Sequence, residues 1–107
     1  MNESTDNVSQ KDVEKTPFQK DMERAAFSAA KYFTEMMQAT NTVVSNLRLE
    51  EIEQKSDGNK KFWSVTISFF DDGNGTIQML YGNRTRVYKV VTVTDGDFVA
   101  TSIKNRD

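Results

Sequence analysis

The chain contains neither cysteine nor histidine. Without thiols there are no disulfides, no thiolate nucleophiles and no thiolate metal sites. Without imidazole the usual general base near neutral pH and the commonest transition-metal ligand are both missing. Ser-His and Cys-His catalysis and ordinary zinc enzymology are therefore excluded. No apolar run approaches the roughly 20 residues needed to cross a bilayer. Positive charge is not in excess either: 14 Lys and Arg stand against 16 Asp and Glu, a net charge of -2, so no global field steers the chain onto nucleic acid. Any such binding must rest on a local patch.

What is present suits one small soluble domain. Of the 107 residues, 36% are hydrophobic and 28% charged, ordinary proportions for such a domain. Residues 1–15 have two valines as their only apolar residues after Met1 and do not offset the entropy of ordering, so a disordered lead-in is expected, with a single domain over residues 16–105. The polar, acidic opening is unlike a signal peptide, and a cytoplasmic location is the expectation, a processed extracytoplasmic form being the other option.

The longest clean period-two run is Lys61 to Phe70, with Trp63, Val65, Ile67 and Phe69 on one side and Phe62, Ser64, Thr66, Ser68 and Phe70 on the other. This is the pattern of a half-buried strand. The Trp63 row supplies one layer of a core, and the small hydroxyl residues of the other row tolerate water.

Before it, Thr16-Pro17-Phe18-Gln19 reads as a helix start, with Thr at the N-cap, Pro at the first helical position and Gln19 closing a capping box. From there Phe18, Met22, Ala25, Ala26, Ala29, Phe33, Met36, Met37 and Thr40 recur at three- and four-residue steps. The alanines in the middle let the helix approach a sheet closely. Phe27 lies about half a turn out of phase, either on the core's flank or exposed to a partner.

Leu47 to Gln54 alternates at Leu47 and Leu49 and slips by one before Ile52, which predicts a strand with a bulge or at an edge, its charges protecting that edge. Asp57-Gly58 turns it into the central strand. Residues 71–83 read as a loop, a short strand or a turn of helix. Thr85 to Thr94 is a strand, Asp95-Gly96 a hairpin turn, and Phe98 to Ile103 the last strand. The expected fold is α+β: one long N-terminal helix packed on a four-stranded antiparallel meander, a two-layer sandwich.

The sequences Leu49-Glu50-Glu51-Ile52-Glu53, Phe62-Trp63-Ser64-Val65-Thr66-Ile67, Tyr88-Lys89-Val90-Val91-Thr92-Val93 and Thr94-Asp95-Gly96-Asp97-Phe98-Val99 together resemble a PepSY-type domain over residues 47–103. That resemblance implies a small, non-catalytic and mostly extracytoplasmic module, some members of which sit in protease propeptides where an inhibitory or chaperone role is implied.

Three Asp-Gly loops invite a calcium reading, but no register through Asp71 or Asp72 supplies the alternating ligands, central Gly and twelfth-position Glu of an EF-hand. Turn chemistry accounts for them. A solvated acidic edge accounts for Glu50, Glu51 and Glu53, and Gly73-Asn74-Gly75 lacks the following Lys and helix start of a phosphate loop. No cofactor, metal or catalytic residue is expected, and the chain is read as a non-enzyme. The expected function is a protein-interaction module, a small inhibitor or accessory domain. It would use a strand edge or the sheet face opposite the helix to bind a protein partner or a second copy. Candidate partner-binding residues are Phe62, Trp63, Arg84, Arg86, Tyr88 and Lys89. The alternative is a single-stranded nucleic-acid-binding domain using Lys60, Lys61, Trp63, Arg84, Arg86 and Lys89 on a basic and aromatic sheet face.

Overall fold

A computed structural model describes residues 14–72 and 85–106. Most of the expected lead-in, the segment read over residues 71–83 as a loop, a short strand or a turn of helix from Gly73 onward, and the candidate Arg84 lie outside the described residues.

Thr16 caps the first element as its sequence predicts. Its Oγ1 accepts from the Gln19 N–H at 3.1 Å, and Gln19 Oε1 accepts from the Thr16 N–H at 2.9 Å, satisfying two of the amides that a helix start leaves open. Helix α1 then runs Pro17–Ala39. It stops without Gly or Pro. The Thr40 hydroxyl folds back onto the carbonyls of Met36 and Met37 at 3.0 and 3.2 Å, and Asn41 takes a left-handed φ of 55°, a conformation asparagine tolerates better than most residues.

Four strands follow: β1 (Val44–Asp57), β2 (Lys60–Asp71), β3 (Arg86–Thr94) and β4 (Ala100–Asn105). They pair antiparallel in chain order, β1-β2-β3-β4, as one open sheet with α1 on one face. This is the expected α+β two-layer arrangement. The slip read between Leu49 and Ile52 is a register shift between Leu49 and Glu51, and a second shift lies between Ser45 and Arg48, where Asn46 has φ 54°. Gly58, at φ 64°, makes the tight turn into β2.

The period-two run of β2 sorts as expected on the helix side. Trp63, Val65, Ile67 and Phe69 are all within 2% of full burial, joined by Val91 and Val93 of β3 and by Ala25, Ala29 and Phe33 of α1. Two ring contacts fix the alignment. Phe18 meets Trp63 with centroids 5.4 Å apart, and Phe33 meets Phe69 at 4.8 Å. Fifteen helical residues rise about 22 Å and six strand residues about 20 Å, so α1 lies alongside β2 and runs in the same direction. Alanine between the two phenylalanines is what lets the axes come close.

The other row departs from expectation. Its pattern predicts contact with water for Ser64, Thr66 and Ser68, yet they are 9%, 3% and 0% exposed. The register gives the reason, because each short hydroxyl lies between longer neighbours: Glu53 and Thr92 beside Ser64, Glu51 and Val90 beside Thr66, Arg48 and Tyr88 beside Ser68. The hydroxyl row is thus the floor of a trough. Ser68, the deepest, donates to Glu50 Oε2 at 2.5 Å and accepts from Arg86 Nη1 at 2.8 Å, so its hydroxyl is satisfied.

The last strand also starts later than expected. Phe98 and Val99 belong to the β3–β4 connection, and pairing resumes at Ala100. Thr94 holds this connection: its backbone N–H donates to the Val99 carbonyl at 2.9 Å, its Oγ1 accepts from the Val99 N–H at 2.9 Å, and its hydroxyl donates to Asp97. Asp95 reaches further. Its Oδ1 accepts from the buried Trp63 indole Nε1–H at 3.0 Å and from Gln54 Nε2 at 3.3 Å. Asp95→Ala would leave the indole N–H without this partner, at a cost of about 1–3 kcal/mol, whereas Asp95→Asn keeps an acceptor and should lose less. Chemical denaturation followed by circular dichroism separates the two; equal losses would show that the turn itself, not the indole bond, is what matters.

Candidate functional site

The sequence-predicted candidates do not share one surface. Register places Phe62, Arg86 and Tyr88 on the face away from α1. Trp63, by contrast, is fully buried under the helix, in contact with Phe18, and is not available to a partner; that candidate is corrected. The same alternation that makes it a core residue withdraws it from the surface. Lys89 falls in the row of Ile67, on the helix side, and donates its ammonium to Asn105 Oδ1. Lys60 and Lys61 are exposed at the start of β2.

Two cations beside the far-face aromatics, Arg86 and Arg106, are already engaged. Arg86 stacks on the Phe70 ring, 4.4 Å from its centroid, while Nη1 and Nη2 donate to the Asn46 backbone carbonyl at 3.0 Å and to Asn46 Oδ1 at 2.8 Å. Arg106 lies over Tyr88 at 4.2 Å. A guanidinium over an aromatic face is attractive through the ring quadrupole, so both rings are capped rather than open for stacking. The Arg86 contacts also hold the bulge at Asn46 to the sheet, which makes this residue a structural tie across β1, β2 and β3.

An open surface with exposed apolar side chains amid charged ones lies elsewhere, beside α1. A groove of about 600 Å³ runs between the outward flank of the helix, at Lys20, Arg24 and Phe27, and the β3–β4 connection at Gly96–Phe98. It adjoins a second hollow of about 280 Å³ through the shared residues Ser28 and Phe98, with Tyr32 and Val99 on its walls. Phe27 is 71% exposed, more than any other large hydrophobic residue described, and Val99 is 50% exposed. The phase shift noted in the sequence puts Phe27 on this flank.

Phe98 forms the floor. Its backbone is left-handed at φ 55°, a region that costs a bulky residue energy, and its ring lies under the Arg24 guanidinium at 4.9 Å. The hydrogen bonds of Thr94 on either side impose that backbone. Of the acidic residues nearby, Glu23 is paired with Lys15 at 2.5 Å, Asp97 accepts from Thr94, and Glu35 lines the second hollow one helical turn from Lys31. Lys20, Arg24 and Lys31 line the helix flank beside these carboxylates.

Among the described residues, no three acidic side chains gather where they could hold a metal ion. The described helix is not long and apolar enough to cross a membrane. No family model, curated protein or solved structure matches the chain.

Proposed function

We propose that this chain is a non-catalytic protein-interaction module whose partner docks on the flank of the sheet beside α1 and β4. The observation that carries the reading is Phe27, 71% exposed above a groove floored by Phe98. An exposed aromatic at the lip of a hollow is a common anchor of a protein interface, where a few residues contribute most of the affinity. Charge on the rim then sets orientation and approach rate, a role suited to Lys20, Arg24 and Lys31. The resemblance of residues 47–103 to PepSY-type domains, which are non-catalytic modules, agrees with it.

The test is comparative capture. Immobilised chain, Phe27→Asp and an exposed control on the same helix, Gln38→Asp, are each exposed to lysate of the source cells, and the retained proteins are compared. A partner using the groove should be retained at least about tenfold less by Phe27→Asp than by the control. A retained set identical across all three would sink the reading.

A further inference from the structure

The two free edges of the sheet are complementary to each other, and we infer that the partner of one edge is the opposite edge of a second copy, so that β1 of one copy adds as a fifth strand beside β4 of the next. This inference rests on the interaction-module reading and names one occupant for the same flank.

The argument starts from the rows that cross the sheet. One runs Glu51, Thr66, Val90, Lys104; the next runs Ile52, Val65, Val91, Ile103; the third runs Glu53, Ser64, Thr92, Ser102. Because β1 and β4 are antiparallel in an even-stranded meander, a copy placed alongside in the same orientation continues the sheet antiparallel. Each row then passes from Lys104 to Glu51, from Ile103 to Ile52 and from Ser102 to Glu53 of the next copy. On the far face a cation meets a carboxylate and a hydroxyl meets a carboxylate. On the helix face isoleucine meets isoleucine.

Charge decides against the two symmetric alternatives. The β1 edge carries Glu50, Glu51 and Glu53 against Arg48 and Lys55, so it is acidic on balance and pairing it with itself would bring carboxylates together. The β4 side carries Lys104 and Arg106, and above it Lys20, Arg24 and Lys31 among Glu23, Glu35 and Asp97, so it is basic on balance and pairing it with itself would bring cations together. The head-to-tail contact sets the acidic edge against the basic one, with Lys104 opposite Glu51 in one row. The three rows lie in the uninterrupted part of each ladder, Glu51 to Asp57 in β1 and Ser102 to Asn105 in β4. Beyond it, Leu49 is 48% exposed on the helix side of β1, while Phe27 and Val99 are exposed on the helix side of β4. Joining the edges draws the two apolar strips under one roof between neighbouring helices. Such a contact is heterologous and does not close on two copies.

The test is sedimentation of the full chain from micromolar to millimolar concentration, with charge exchange at one row. Wild-type chain should grow past two copies as concentration rises. Glu51→Lys and Lys104→Glu, both at exposed positions, should each weaken association about tenfold by setting like charges opposite one another. The double variant should restore it, because the cation and the carboxylate have then changed places across the contact, and an equimolar mixture of the two single variants should restore it by alternating, native and exchanged Lys–Glu contacts following one another. A monomer at every concentration, a mass that stops at two copies, or a double variant no better than the singles would each overturn the inference. If the chain stays monomeric while Phe27→Asp still releases a captured protein, self-pairing fails and the module reading stands. If assembly follows the charge exchange while capture ignores Phe27→Asp, a foreign partner in the groove is the part that fails.

Discussion

Replacing Trp63 by alanine should remove about 3–5 kcal/mol of stability, the range for deleting a large aromatic from a closed core. Domains of this size are stable by about 5–15 kcal/mol, so the variant should be close to unfolding at room temperature. Three losses coincide. The indole is fully buried, it makes the ring contact with Phe18 that seats the start of α1, and its N–H holds Asp95 and with it the β3–β4 connection. Truncation empties the space, frees the helix start and strands a carboxylate partner. Urea titration read by circular dichroism is the measurement, since the substitution deletes the only tryptophan. Phe62→Ala, one residue away but on the far face and only half-buried, should cost far less. Equal costs would mean that the two faces contribute equally, contrary to the burial pattern.

Enlarging Ala29 to leucine is the second large effect, and it acts in the opposite sense, by overfilling. Ala29 is fully buried where α1 crosses the sheet, between the Phe18 and Phe33 contacts. Leucine is nearly as good a helix former as alanine, so any loss comes from packing. Forcing three more carbons into that contact should cost about 1–3 kcal/mol by lifting the helix off β2 and β3. For a domain of this length that corresponds to a fall in melting temperature of about 4–8 °C per kcal/mol. Ala39→Leu, at the exposed end of the same helix, serves as the control and should be nearly neutral. A stabilised Ala29→Leu would reveal unfilled space under the helix.

Features governed by neighbours in sequence are readable without coordinates. Thr16, Pro17 and Gln19 make their bonds within one turn, and the alternation from Lys61 to Phe70 needs only the pleat. The slip between Leu49 and Ile52 betrays a bulge because a strand cannot change its period without one. Features set by distant partners are not readable. Asp95 looks like a turn residue and is one, but its bond to Trp63 joins positions 32 apart. Ser64, Thr66 and Ser68 look like a wet face; what dries them is the length of the side chains that register happens to place on either side. The last strand reads from Phe98 because phenylalanine and valine favour strands, whereas Thr94 captures that segment into a loop and leaves pairing to begin at Ala100. Among the site residues, Phe27 is visible as an aromatic out of phase with its stripe. The groove beneath it is not, since it depends on the left-handed backbone of Phe98.

The alanine stripe of α1 bears on how the chain is made as well as on how closely it packs. During synthesis the helix emerges first, and Trp63, against which Phe18 will sit, follows about 45 residues later. At about 5–20 residues per second, the helix waits seconds for its sheet. A stripe of leucines would spend that interval as a sticky surface. Ala25, Ala26, Ala29 and Ala30 expose little apolar area while they wait, and the three hairpin steps of the meander can form one after another before the helix closes over them.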